Sequence, residues 1–543
     1  MKKFLNWKLT LILIILLASF LRLWQLGDVP SGIPDDEASY IYNSYSIWET
    51  GKDINGKFLP LSFNAHSSQS PVEVYLTAPF VGLLGLSEFS ARLPSALLGI
   101  GSVFLLFLLT NHLFKSKKIA LISAFLFTVS PWALQLQRGL WDADFGLFFM
   151  LAGIYFFVVN IHSRKFLWSL IPFLLAFYSY HALKVYFIFL IPVLLFFFKK
   201  ELLKLKKTTL IFLLGCLIML GSFWIITNTQ LVTRQQEVSI FGNSTAASEV
   251  NLERKINIAP GLLRKIFNNK PLYLLRIMRE NYLKAFSTEY LFLSGESGNS
   301  SQIVNIFFRG ELYIIELPFL LLGLYVLIKN KNNFNRNFIF ALLLISPLPS
   351  TFTTDRNFVA RDIMMLPLIL IVIACGLDYW LKIVCKYRIG IRNIVLTIFI
   401  SIYAFLIFGY LYQYYFRWTV YGAESWGKSY KDLVNMVDSK KNNFKNIYIS
   451  RNPNELLLQY AIFNRVDPQR VQNAWQKKPI QIDNLTLLKE CINSSGGYVM
   501  DNLPKSTLYA ATFIDCHSKD VPTEKILDYG EPLHVIWNIY ENN

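Results

Sequence analysis

KLTLILIILLASFLRLWQLGDVPSGIPDDE, residues 8–37, is an apolar run that ends in three adjacent carboxylates, Asp35, Asp36 and Glu37. Residues 8–26 are long enough to cross a bilayer, which takes about 20 mostly apolar residues in a helix. The acids follow where such a helix emerges into water. Negative charge is costly there unless it is used, which makes Asp36 and Glu37 the first candidates for chemistry. Met1-Lys2-Lys3 ahead of the run resembles the start of a signal peptide. The run is too long for an ordinary signal core and no small-x-small cleavage pattern follows it, so it reads as a retained signal anchor.

The composition agrees with a membrane protein. The 543 residues are 53% hydrophobic and 16% charged, with a mean hydropathy of +0.37. A soluble protein of this size cannot hide that much apolar surface in its own core. Aromatics reach 16%, with 45 Phe and 28 Tyr, which suits lipid-facing helices and interfacial belts. The net charge is +17, but Lys and Arg fall mainly between apolar runs, where they set orientation. That pattern argues against nucleic acid as a partner. Cys216, Cys375 and Cys385 lie in or beside apolar runs, and no cysteine pair has metal-ligand spacing. Cys491 and Cys516 lie in the polar C-terminal region, and either form a disulfide on an oxidising side of the membrane or are ordinary buried cysteines.

Apolar length predicts spans at 8–26, 92–114, 119–137, 144–161, 166–180, 182–198, 208–228, 311–329, 337–354, 362–382 and 394–415, about eleven in all. Short basic loops recur between them: Lys115 to Lys118, Ser163 to Lys165, Lys199 to Lys207, Lys329 to Arg336 and Lys386 to Arg392. With Lys2 and Lys3 they occupy every second loop, which places them and the N-terminus in the cytoplasm. The outer segments are then 27–91, 138–143, the turn at His181, 229–310, 355–361 and the C-terminal tail. Arg254 to Ala285 carries apolar residues at helical spacing among basic ones, as in a helix lying in the interface or packed on the bundle. Beyond residue 424 the chain becomes polar. Ile447-Tyr448-Ile449, Tyr498-Val499-Met500 and Leu533 to Tyr540 read as strands, and Tyr430 to Val437 and Glu455 to Phe463 as helices. The predicted fold is mainly α: a polytopic helical bundle over 1–424, followed by a small extracytoplasmic α/β domain over 425–543. No internal repeat is visible.

The outer set collects the unusual polar residues: Asp35, Asp36, Glu37, Arg138, Asp142, Asp144, His181, Lys184, Asp355, Arg356 and Arg361. Interfacial anchoring accounts for some of the cations, but carboxylates cannot snorkel far. A lipid-borne phosphate at this surface calls for arginine, whose fork matches phosphate oxygens. Arg361 enters the apolar run Ile363 to Cys375, with Arg356, Arg138 and Lys184 as helpers. A sugar leaving such a phosphate requires its acceptor hydroxyl to lose a proton, and Asp36 is placed to act as general base.

On these residues the chain resembles the polytopic glycosyltransferases of the GT-C fold, specifically the group around protein O-mannosyltransferases and aminoarabinose transferases. The matching stretches are Pro34-Asp35-Asp36-Glu37-Ala38, Ser90 to Ala96, Ser130-Pro131-Trp132 with Arg138 and Asp142, and Tyr178 to His181 with Lys184. Leu317-Pro318-Phe319, Ser346 to Pro349 and Arg361 before Leu366-Pro367 follow. The resemblance covers residues 8–430 and implies transfer of a sugar from a polyprenyl-phosphate donor to an extracytoplasmic protein, lipid or cell-wall acceptor, with inversion. It implies Asp36 and Glu37 as the catalytic pair and Arg361, Arg138, Asp142, Lys184, His181 and Arg356 as donor-binding residues. It assigns no cofactor and leaves room for a divalent cation. Relatives often carry Lys-Pro-Pro late in the first outer loop; here the stretch reads His66 to Pro71, without that lysine. The bland readings are local pairing for Arg92, a packed interfacial histidine for His181, a first-turn helix acid for Asp35 and simple ion pairing for Asp144. The alternative from another class is a transporter or flippase of lipid-linked sugars, which would hold its charges near mid-bilayer and between repeats.

Overall fold

In the computed structural model the apolar runs fold as helices; it describes the chain apart from residues 1–5, 66–67, 231–238, 243–244, 297–302, 304–305, 307–308, 330–332, 355–357, 492–503, 513–520, 532 and 543. Among the described residues, four helices are long and apolar enough to cross a membrane: Glu88–Phe114, Asp142–Asn160, Met365–Val384 and the run Ile389–Tyr421. Of the other predicted spans, 208–228 lies within the helix Lys206–Gln230 and the rest are shorter or interrupted, so the expected eleven crossings do not each correspond to one long helix. The run 119–137 shows why. Ser116 caps the helix Lys117–Val129, and Ser130-Pro131 then ends it and starts Pro131–Leu136, with proline at a position where its missing N–H is harmless.

By internal packing the chain forms two units, Met1–Arg22 with Leu97–Gln137 and Asp142–Tyr410, and Leu23–Ala96 with Arg138–Trp141 and Leu411–Asn543. The boundary expected at residue 424 falls inside the second unit.

In the first unit, Arg22 is fully buried in the first apolar helix. Its guanidinium donates to Gln137 Oε1 at 2.8 Å and to the carbonyls of Thr128 and Phe127 at 3.3 and 3.5 Å. A cation at a helix C-terminus satisfies carbonyls that the helix itself leaves open. Helices Leu317–Lys329 and Met365–Val384 meet backbone to backbone, because a Cβ at Gly323 or Gly376 would strike Val372 O or Phe319 O. Such close approach suits helices that pack without a hydrophobic drive. The segment 254–285 is broken into Thr245–Lys255, Gly261–Phe267 and Lys270–Ala285. Leu262 and Phe267 are about 70% exposed, as an interfacial segment would have them.

In the second unit a six-stranded mixed sheet runs in the order 480–482, 485–488, 446–450, 507–512, 535–542, 524–527. Asn446–Ser450 pairs in parallel with both of its neighbours. Helices Lys428–Lys440 and Pro453–Phe463 cover it, with Tyr430 stacked edge-on against Trp537 at 5.6 Å. The expected α/β character, both helices and the strands around 447 and 535 are present. The predicted strand at 498–500 lies outside the described residues. Cys491 is disulfide-bonded; Cys516 lies outside the described residues.

Candidate active site

The second unit holds the acidic motif. Asp35, Asp36 and Glu37 form the first turn of the helix Asp35–Thr50, where carboxylates meet the positive end of the helix dipole. Asp35 and Asp36 are half-buried, whereas Glu37 is fully buried. Both Glu37 oxygens accept from Arg92, Nε to Oε1 and Nη2 to Oε2, each at 2.8 Å. Oε1 also accepts the Leu140 N–H at 2.9 Å. Arg92 further donates to the carbonyls of Pro30 at 2.9 Å and Gly32, and lies over the Trp426 ring at 5.4 Å. Gly32 fits because a Cβ would strike the Trp426 carbonyl.

The oxygens of Glu37, expected as one of the catalytic pair, are engaged inside the protein, where they hold the start of the helix that bears Asp36. Arg92 pairs locally, as its bland reading had it. Asp36 is held through its carbonyl, which accepts from Gln69 Nε2 at 3.3 Å, and Gln69 accepts in turn from Ser39 Oγ at 2.7 Å.

Arg138, expected as a donor-binding residue, lies in the same unit. It is fully buried, and its Nη2 donates to the carbonyls of Trp24, Val29 and Gln25 at 2.8, 2.9 and 3.3 Å. Its guanidinium lies 5.0 and 5.6 Å from the Tyr415 and Tyr414 rings. Arg138 therefore braces the turn between the first apolar run and the acids.

A residue with no sequence signal joins the cluster. Glu455 is buried at the start of Pro453–Phe463, and its carboxyl is hydrogen-bonded to that of Asp35. Burial first, and then Asp35, push Glu455 up to about 9.

The first unit holds the remaining candidates. Arg361, 9% exposed, ends the short helix Phe358–Arg361, and its Nη1 donates to Thr353 Oγ1 at 2.9 Å. Glu296 caps that helix: its two oxygens accept the N–H groups of Phe358 and Val359 at 3.0 and 3.1 Å. Asn281 supports the same turn by donating to Thr353 O at 2.9 Å. His181 Nδ1 lies 2.9 Å from Lys184 Nζ. Asp142 and Asp144 sit in the first turn of Asp142–Asn160, with Asp144 buried. Asp355, Arg356 and His66 lie outside the described residues. Among the described residues no group of three or more His, Cys, Asp or Glu is placed to hold a metal ion.

Residues 68–226 match the family profile for dolichyl-phosphate-mannose-protein mannosyltransferase. No curated protein sequence matches the chain. Among solved structures, ArnT from Cupriavidus metallidurans aligns over 98% of both chains at 11% identity with a TM-score of 0.50, in its apo state and bound to undecaprenyl phosphate. The oligosaccharyltransferase AglB of Archaeoglobus fulgidus, solved with an inhibitory peptide and a dolichol-phosphate, aligns over 84% of this chain at 14% identity with a TM-score of 0.46. The chain spans 63% of the length of AglB. It is thus a polytopic membrane protein of the GT-C fold, and its residues 68–226 are similar to the protein-mannosyltransferase family.

Proposed function

We propose that the protein is a membrane glycosyltransferase that moves a sugar from a polyprenyl-phosphate donor to an extracytoplasmic hydroxyl acceptor, with inversion. The observation that carries this reading is the placement of Asp36. It is half-buried in the first turn of the helix Asp35–Thr50, whose start is held by the Glu37–Arg92 pair and by Gln69 on the Asp36 carbonyl. The resemblance to ArnT in fold and to the mannosyltransferase family in sequence supports a lipid-phosphate donor.

In a single displacement the acceptor oxygen forms its bond to the anomeric carbon as the bond from that carbon to the phosphate oxygen breaks. The hydroxyl proton passes to Asp36, and the polyprenyl phosphate leaves with the electron pair. Arg361 compensates the charge gathering on the departing phosphate. Its short helix is fixed at the N-terminal end by Glu296. In purified protein Asp36→Asn removes the proton acceptor and lowers turnover by 100-fold or more, on the order of a lost general base. Unchanged turnover in a well-folded Asp36→Asn protein removes the proposed base. Arg361→Ala weakens the donor dependence more than the acceptor dependence; the reverse pattern excludes Arg361 as the phosphate contact.

A further inference from the structure

At the membrane face that carries the basic loops, entirely within the first unit, five helix ends surround a cavity of about 470 Å³. Glu88–Phe114, Asp142–Asn160, His181–Phe197 and Leu317–Lys329 finish there, and Asn333–Ile345 begins there. Lys115, Arg336, His112 and His162 line it, with Glu201 as the acidic residue of the lining. Two permanent cations thus stand against one carboxylate. Helix C-termini carry partial negative charge, and cations near them are ordinarily consumed in capping carbonyls. Arg336 does this in part, donating to Ile328 O at 3.0 Å, which fixes its fork at the rim. Lys115 does not: it is exposed, and among the described residues its ammonium has no hydrogen-bond or ion-pair partner. The inner wall is apolar, built on Phe198 and Phe334, whose rings meet edge-on at 5.3 Å.

We propose that this cavity binds the phosphate headgroup of an anionic glycerophospholipid, with Lys115 and Arg336 on the phosphate and the acyl chains against Phe198 and Phe334. A basic rim over an apolar floor between membrane helices matches an amphiphile with an anionic head. A soluble phosphate would use the cations and leave the aromatic floor bare. The site does not rest on the sugar-transfer reading, and Asp36→Asn leaves it intact.

The test is native mass spectrometry of the delipidated full-length protein, titrated with phosphatidylglycerol, phosphatidylcholine or inorganic phosphate. One phosphatidylglycerol is retained and phosphatidylcholine is not. Lys115→Gln weakens retention about fivefold, and Lys115→Gln with Arg336→Gln about 25-fold, the scale set by one basic residue at an anionic surface. Because Arg336 also holds Ile328 O, Lys115→Glu at the exposed position is the second variant, and it abolishes retention in a monodisperse protein. Equal retention of phosphatidylcholine, or unchanged phosphatidylglycerol binding in both Lys115 variants, overturns the site. Displacement of the lipid by millimolar inorganic phosphate overturns the lipid as its ligand.

Discussion

Arg92→Met should destabilise the second unit severely, and the reason can be worked from the contacts. The substitution keeps most of the apolar stem volume but removes two 2.8 Å bonds to Glu37, which then remains fully buried with only the Leu140 N–H. The carbonyls of Pro30 and Gly32 lose their donor as well. Breaking a buried pair by deleting one partner costs about 3–5 kcal/mol, because the remaining charge is stranded. At about 2–4 °C per kcal/mol for a domain of 150–250 residues, the melting midpoint falls by roughly 6–20 °C. Glu37→Gln, which keeps the shape and an acceptor for Leu140, costs about 1.5–3 kcal/mol, the worth of hydrogen bonds to a charged group. The double variant strands no carboxylate and falls short of the sum of the singles by about 1–3 kcal/mol. The assay is the loss of monodisperse protein on heating in detergent, read by fluorescence-detected size exclusion for the four proteins of the cycle. An Arg92→Met protein within about 3 °C of wild type, or strict additivity in the cycle, would falsify the reasoning.

Glu455, raised to about 9 from an ordinary carboxyl value, holds a proton in the folded protein that the unfolded chain releases above about 4.5. The folded state binds more protons across that window, so stability falls as pH rises from about 5 to 9; Glu455→Gln flattens the slope, measured as melting midpoint against pH. Glu296→Gln leaves one of the two N–H groups of Phe358 and Val359 without an acceptor. A lost helix cap costs about 0.5–2 kcal/mol, so kcat/KM for the donor drops about 2- to 30-fold while the acceptor KM stays put, as read by steady-state kinetics. Arg22→Leu frees the Thr128 and Phe127 carbonyls and the Gln137 side chain inside the first unit. About 2–4 kcal/mol of stability is lost, visible as a lower yield of monodisperse protein.

Local patterns reveal the helices, the position of the acids and the α/β character of the C-terminal region. Each depends on periodicity or on a run of composition, which neighbouring residues carry between them. Asp35 as a first-turn acid is likewise written in the order Pro34-Asp35-Asp36-Glu37. What the sequence conceals is pairing at a distance. Glu37 and Arg92 are separated by 55 positions, and Arg138 reaches carbonyls more than 100 positions upstream. No period links such partners, so Glu37 reads as a free acid and Arg138 as a free base until packing brings them to their counterparts. Glu455 is hidden for the same reason: in the sequence it is an ordinary first-turn glutamate of a surface helix. Glu296 lies after a glycine in a turn-rich stretch, where a capping carboxylate has no distinguishing neighbours.

The helix bearing Asp36 is fastened by residues made more than 400 positions later. Gln459 donates to Ile33 O, Tyr42 to Val466 O and Gln472 to Asp53 O, across separations of 419 to 426 positions. During translation the chain therefore inserts nearly all of its membrane helices while this segment still lacks its clasp. A message truncated before codon 450 therefore yields a chain whose Asp36 helix lacks all three of these fastenings, so the geometry of the acidic turn is completed only after the membrane helices are in place.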